Sequence, residues 1–313
     1  MDVLVTGGAG FIGSNLAASL VEAGHATRVL DDLSTGFLEN VPAGAELIEG
    51  DVADPETVAK AVEGAEVVFH LAAHRAVFRS VEHPLATDTV NVHGTLTVLK
   101  ASADAGVRRV VSASSSSVYG GAAHMPTAES EPLWPRSPYA VTKLAGEHYC
   151  RVFSELFGLE TVSLRYFNVF GPRQRPDSAY AAVIPLFLAA LRTGEAPVVH
   201  GDGRQSRAFV FVEDAVAANV AAATAPGEHC GGQAYNVAGR RSVDLLELLE
   251  IMGGILGVEP RPVHVDPRPG DVRHTSADIS AAERALGFEP KVDLDEGLRR
   301  TVEWFSTFPA GRG

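Results

Sequence analysis

From residue 3 onward, short apolar runs alternate with stretches in which apolar positions recur every three or four residues. The runs at residues 3–5, 27–30, 45–48, 67–71, 109–113 and 161–164 have the length and β-branched content of buried strands. Between them, residues 14–22, 55–62, 85–105 and 139–157 carry helical spacing. Such alternation predicts right-handed βαβ crossovers, and so an α/β fold: a doubly wound parallel sheet with helices on both faces. The rhythm breaks after Asn168, where Pro172, Pro176 and Pro185 intervene and a helix near 184–192 follows. Apolar runs at 208–212 and 234–237 are expected to return to the main sheet. The expected organisation is a sheet domain over 1–167, joined again by 207–239, and a smaller discontinuous domain over 168–313 that closes over the sheet's ligand edge.

The first strand runs straight into Gly7, Gly10 and Gly13, then into a helix. Glycines at this spacing permit a tight turn, close backbone approach to a pyrophosphate and close packing of helix on strand. The helix N-terminus adds unpaired N–H groups and a positive dipole end. The second strand ends at Asp31, where a carboxylate is placed to bond the adenosine ribose hydroxyls and to repel a 2′-phosphate. The pattern predicts a dinucleotide-binding Rossmann domain that uses NAD rather than NADP. Asp51, just past the third strand, is placed to meet the adenine amino group, and the small residues Ala72 and Ala73 after the fourth leave room for a flat ring.

Composition narrows the class further. The 313 residues carry a formal charge of −13, which disfavours nucleic acid as a partner. An acidic protein that binds an anionic ligand must gather its few cations locally. Two cysteines make a disulfide framework unlikely to be built, and neither they nor the eleven histidines show metal-ligand spacing, so no metal is expected. A first strand at residue 2 leaves no room for a signal peptide, and no apolar run is long enough to span a bilayer; a cytoplasmic protein is expected.

Two further features carry chemistry. Tyr139 and Lys143, four residues apart in a helix opened by Pro138, share one face. A phenol with an ordinary pKa near 10 must be lowered by ~3 pH units, or ~4 kcal/mol, to act as a base at neutral pH. A neighbouring ammonium and an oxidised nicotinamide both have the sign that favours the phenolate. Upstream, four serines from Ser114 to Ser117 end the fifth strand and precede Val118-Tyr119-Gly120.

These motifs, in this order, resemble the extended short-chain dehydrogenase/reductase superfamily, and within it the NAD-dependent nucleotide-sugar epimerases. The resemblance covers nearly the whole chain, through residues 6–13, 31–36, 50–54, 70–73, 114–120, 139–143, 165–171 and 268–271. It implies that Ser115 is the active-site hydroxyl, Tyr139 the base and acid, and Lys143 the group that binds the nicotinamide ribose and tunes Tyr139. It implies NAD contacts from Phe11, Ile12, Asp31, Asp32, Ser34, Thr35, Gly36, Asp51, Val52, Leu71, Ala72, Ala73, Arg75 and Phe167. UDP-sugar contacts are implied for Asn168, Arg207, Arg268 and Asp271, and a homodimer paired through the helices at 85–105 and 139–157. Val90 stands where related epimerases often present a polar group to the cofactor.

Ser116 and Ser117 occupy the positions at which related dehydratases and decarboxylases place carboxylates, and hydroxyls are poor proton shuttles near neutral pH. The expected reaction is therefore C4 epimerisation of a UDP-hexose through a 4-keto intermediate. A dehydratase, a decarboxylase or a non-catalytic NAD-binding regulator is the alternative. UDP-glucuronate is favoured over UDP-glucose and UDP-N-acetylglucosamine: Ser115, Ser116 and Ser117 offer hydrogen bonds to a C6 carboxylate, and the segment containing Arg175 resembles that of glucuronate epimerases. Asn168 resembles the glucose enzymes, and Thr275 leaves room for an N-acetyl group.

Overall fold

A computed structural model describes residues 1–176, 181–267 and 272–307. Seven parallel strands form the central sheet: β1 (Asp2–Thr6), β2 (Ala26–Asp31), β3 (Ala45–Glu49), β4 (Val67–His70), β5 (Arg109–Ser115), β6 (Glu160–Tyr166) and β11 (Gly231–Val237). Their spatial order is β11-β6-β5-β4-β1-β2-β3. The order reverses beside β1, which places a crevice beyond the carboxyl ends of β1 and β4, where ligands bind in open α/β sheets.

Alternation along each strand divides the core in two. Val3, Val5, Val67, Phe69 and Val111 pack on one face with α1 (Phe11–Glu22) and α8 (Val212–Thr224). Leu4, Val68 and Val110 pack on the other with α2 (Pro55–Val62), α5 (Gly94–Asp104) and α6 (Pro138–Phe157). Local sequence sets the helix ends. Asp54 accepts from the Glu56 and Thr57 amides ahead of α2. Ser137 caps α6, Pro138 starts it, and Gly158, with φ of +67°, closes it.

A third core gathers Phe170, Ile184, Phe187, Phe211, Leu248 and Leu298. It lies among α7 (Val183–Thr193), α9 (Leu245–Leu256), α11 (Leu294–Ser306) and three two-stranded sheets. Those sheets pair β7 (Val169–Phe170) with β10 (Val210–Phe211), β8 (Val198–His200) with β13 (Val263–Val265), and β9 (Ser206–Ala208) with β12 (Ser242–Asp244). β7 follows β6 after two residues, which sets this core at the carboxyl edge of the main sheet. The remaining helices are α3 (Val77–Glu82), α4 (Pro84–Asp88) and α10 (Ser280–Leu286).

Two expectations need correction. Residues 234–237 join the main sheet, but 208–212 do not. The free edge of β6 is taken by β11 in parallel register over its whole length, while the earlier run divides between β9 and β10 in the small sheets. Nor are residues 85–105 one helix. After α4 the backbone widens into a π turn at Thr89–His93 before α5 begins. At that turn the Asn91 side chain accepts from the His74 amide (2.7 Å) and donates to the His74 carbonyl (3.1 Å) and the Thr142 hydroxyl (3.0 Å). The widened turn thus anchors the loop after β4, as π turns often do beside functional sites.

Candidate active site

Two backbone bonds shape the glycine turn: Gly7 N–H to the Leu30 carbonyl (2.8 Å) and Gly10 N–H to the Gly7 carbonyl (3.1 Å). Gly7 has φ of +70°, and a Cβ at Gly13 would lie 2.1 Å from the Gly7 carbonyl oxygen, so neither position admits a side chain without rebuilding the turn. No side chain caps α1, so its first amides face the cleft. Asp31 has a second duty that the sequence pattern did not show. Its two carboxylate oxygens accept the Ala9 and Leu33 amides, both at 2.9 Å, tying the turn to the end of β2. Burial pushes its carboxyl up, and those two amides pull it back.

The cleft is lined by the glycines with Phe11, Ile12, Asp32, Ser34, Thr35, Asp51, Val52, Leu71, Ala72, Ala73, Arg75, Tyr139 and Lys143. Gly36 packs beneath this wall, against Ala9 and the Asp31 carboxylate. Gln174 and His74 line the same cleft and were missed from sequence; Gln174 sits in a segment from which Arg175 alone was taken. The Gln174 Nε2 donates to the Val169 carbonyl, and its buried Oε1 has no partner.

Tyr139 enters from the first turn of α6, a position set by Ser137, whose hydroxyl accepts the Ala140 amide. One turn on, Lys143 Nζ donates to the Ala113 carbonyl of β5 (2.8 Å) and stands 6.0 Å from the Tyr139 ring centre. The Ser115 side chain, at the end of β5, lines the cleft with Tyr139 and accepts the Ser117 amide (3.2 Å). Burial pushes the Tyr139 phenol above its ordinary value, opposed by the neighbouring Ser115 hydroxyl and the Arg75 guanidinium. Burial also pulls Lys143 down to about 8. The protein's own groups therefore hold Tyr139 protonated, and an added positive charge beside it is needed to favour the phenolate.

A second cavity of about 700 Å³ opens on the other side of Ser115 and Tyr139. Ser116, Ser117, Asn168, Arg207 and Thr275 line it, with Arg75, Arg136 and His274. Among its described lining residues there are three arginines and no carboxylate. Asn168, with φ of +23°, donates to the Ala208 carbonyl (3.0 Å), linking the end of the main sheet to β9. Two placements differ from expectation. Phe167 is 1% exposed and faces this second cavity beside Tyr119, not the dinucleotide cleft. Arg175 lies on the cofactor side, 3.7 Å over the Phe37 ring and paired with Glu39, with Arg75, Arg79 and Arg173 around the same mouth. Chain neighbours put it in the sugar set; stacking on an aromatic face drew it away. Arg268 and Asp271 lie outside the described residues.

This fold and site define an extended short-chain dehydrogenase/reductase. Residues 3–238 match the NAD dependent epimerase/dehydratase family, and the chain belongs to that family. It is similar to a UDP-glucose 4-epimerase of Mycolicibacterium smegmatis, 41% identical over 97% of this chain and 98% of that one. Among solved structures, a UDP-N-acetylglucosamine 4-epimerase from Methanobrevibacter ruminantium, in complex with UDP-N-acetylmuramic acid, superposes with a TM-score of 0.93. It is 40% identical, with 98% of each chain covered. A UDP-glucuronic acid 4-epimerase from Bacillus cereus superposes at 0.91, 30% identical over 98% of this chain and 99% of that one. The protein is an NAD-dependent enzyme, and its residues fit that cofactor: a cradle that any Cβ at Gly13 would fill, open amides at α1 and an acidic residue closing β2.

Replacing Asp31 with Ala removes the clamp on Ala9 and Leu33 and the carboxylate expected to meet the ribose. NAD affinity should fall and the preference over NADP should narrow, read by titration of both dinucleotides into stripped protein. Unchanged affinity for both would remove Asp31 from the cofactor site.

Proposed function

We propose that the protein inverts C4 of a UDP-hexose through a 4-keto intermediate. The observation that carries this reading is the convergence of Ser115, Tyr139 and Lys143 between a dinucleotide cleft and an arginine-lined cavity free of carboxylates among its described residues. Related dehydratases and decarboxylases place carboxyls at the positions of Ser116 and Ser117, and the described cavity wall holds no carboxylate. Residues 1–167, with β11 and α8, serve the cofactor; residues 168–313 serve the UDP-sugar.

Bound NAD supplies a reversible two-electron acceptor and, when oxidised, a positive charge near the phenol. Tyr139 takes the proton of the C4 hydroxyl and returns it after the keto sugar has turned over. Ser115 hydrogen-bonds the same oxygen. Lys143 holds its ammonium near the phenol and binds the nicotinamide ribose. Arg207 anchors the diphosphate while the sugar swings, and Asn168 orients it, with Arg268 and Asp271 assigned to the same UDP-sugar set.

For the sugar itself we favour glucuronate. Its support is the run Ser115, Ser116 and Ser117, in which the buried Ser117 hydroxyl has no partner among the described residues, beside arginines that suit a ligand with both a diphosphate and a carboxylate. Charged hydrogen bonds contribute about 1.5–3 kcal/mol each, enough to set preference by one or two orders of magnitude. A neutral hexose is the second reading, favoured by the 41% and 40% identity to glucose and N-acetylglucosamine epimerases.

Tyr139→Phe should retain NAD and UDP-sugar binding and lose about 10²–10⁴-fold in turnover. Wild-type turnover in that variant would remove Tyr139 from the base role. Comparing kcat/KM for UDP-glucuronate, UDP-glucose and UDP-N-acetylglucosamine by NMR decides the sugar: turnover of UDP-glucose without UDP-glucuronate ends the carboxylate reading. We also propose a homodimer paired through α4, α5 and α6, which leave Leu85 83% and Val141 52% exposed. Sedimentation at micromolar concentration should show a dimer, and a monomer alone would refute it.

A further inference from the structure

Tyr139, Lys143 and Glu147 occupy successive turns of one face of α6. Each faces one of three consecutive residues at the end of β5. Tyr139 lines the cleft with Ser115, Lys143 donates to the Ala113 carbonyl, and Glu147 accepts the Ser114 hydroxyl at 2.5 Å. The third contact has no part in the reaction as derived above. Glu147 is 7% exposed, and its carboxylate also takes a two-point bond from Arg165 of β6, with Nε at 2.9 Å and a terminal nitrogen at 2.7 Å. Arg165 donates in turn to the Tyr119 hydroxyl, which donates to Asn236 of β11. The carboxylate is thus locked from two strands and has no freedom to rotate.

A buried ion pair of this kind contributes little net stability over a well-packed apolar pair. Its location suggests a different value. Ser114 and Ser115 are consecutive, so anchoring Ser114 against α6 fixes the backbone from which the Ser115 side chain departs. The carboxylate also lies one helical turn from the Lys143 ammonium.

We propose that Glu147 is a positioning residue for the base. Through Ser114 it sets the direction of Ser115, and through its charge it keeps Lys143 an ammonium beside Tyr139. This rests on the reading of Tyr139 as the base. The groups facing the pair support it. Arg75, from the loop after β4, is cationic and acts on Tyr139. His70 of β4 is held neutral by burial, with its pKa at about 3. Cys150, further along α6, is a neutral thiol pushed up to about 11. Glu147 is therefore the group acting on Lys143 that carries negative charge at neutral pH.

The test uses the NAD-loaded enzyme, with NAD content, melting temperature and kcat and KM recorded across pH for three variants. Glu147→Gln keeps the shape and removes the charge. The Lys143 pKa then falls, so the alkaline limb of the pH–rate profile moves down by about half a pH unit. Turnover at the optimum should drop about tenfold with KM nearly unchanged. Glu147→Asp keeps the charge and should restore that limb. Ser114→Ala leaves the Glu147–Arg165 pair intact; it should lower kcat without moving either limb or the melting temperature.

An unmoved alkaline limb in a folded Glu147→Gln enzyme, or wild-type kcat in Ser114→Ala, would overturn the proposal. If Glu147→Gln loses its NAD or its fold, Ser114→Ala alone decides, in the same sense. Failure of the base reading is separate: it would appear as activity in Tyr139→Phe, whatever the Glu147 and Ser114 variants do.

Discussion

The hydrogen bond from Lys143 Nζ to the Ala113 carbonyl ties the helix that carries the phenol to the strand that carries the hydroxyl. It adds to the apolar packing of Cys150 and Phe153 and to the Glu147 bonds that hold the rest of α6 on the sheet. With it, three side chains on one helix face register against three residues of one strand. The cost is a half-buried ammonium whose pKa falls to about 8. That cost is also the device: a cation held by a carbonyl cannot turn to water, so its field stays on the neighbouring ring.

Electrostatics at this site run against the protein as a whole. A chain with formal charge −13 gathers Arg75, Arg79, Arg173 and Arg175 around one mouth of the cleft, and Arg75, Arg136 and Arg207 around the other. Opposing surface charge is screened within about 8 Å at physiological salt, whereas charges in a partly buried cleft are screened far less. Local placement therefore outweighs net charge in drawing two diphosphates to one crevice. The same reasoning explains Tyr139. Burial raises its pKa, and the arginine and serine beside it only moderate that rise, so a further positive charge alongside is what would favour the phenolate.

The sheet supplies the rigidity these placements need. The inner strands β1, β4 and β6 are buried along almost their whole length, and the cleft opens at the carboxyl ends of the sheet. The links to the sugar-side core are both polar and apolar: Asn168 donates to Ala208, Val169 packs against both cores, and α8 gives Val212 to one and Ala215 to the other.

Much of this was legible in the chain because it is local. Asp54 and Ser137 ahead of prolines mark helix starts, three glycines at fixed spacing mark a turn, and four residues between Tyr139 and Lys143 put both on one helix face. Where the reading failed, the deciding contact was distant. A π turn has nearly the same apolar period as an α-helix, so the break at Thr89–His93 shows only in what Asn91 binds, the backbone of His74 seventeen residues earlier.

By itself, then, the sequence determined the alternating α/β architecture, the dinucleotide turn and the Ser115, Tyr139 and Lys143 set, because each depends on spacing over a few residues. Only the tertiary structure decided that β11 and not 208–212 takes the edge of β6, that Arg175 stacks on Phe37, and that Glu147 is locked between Ser114 and Arg165. Those choices are competitions among distant groups for one edge, one ring or one carboxylate, and chain periodicity carries no record of the winner.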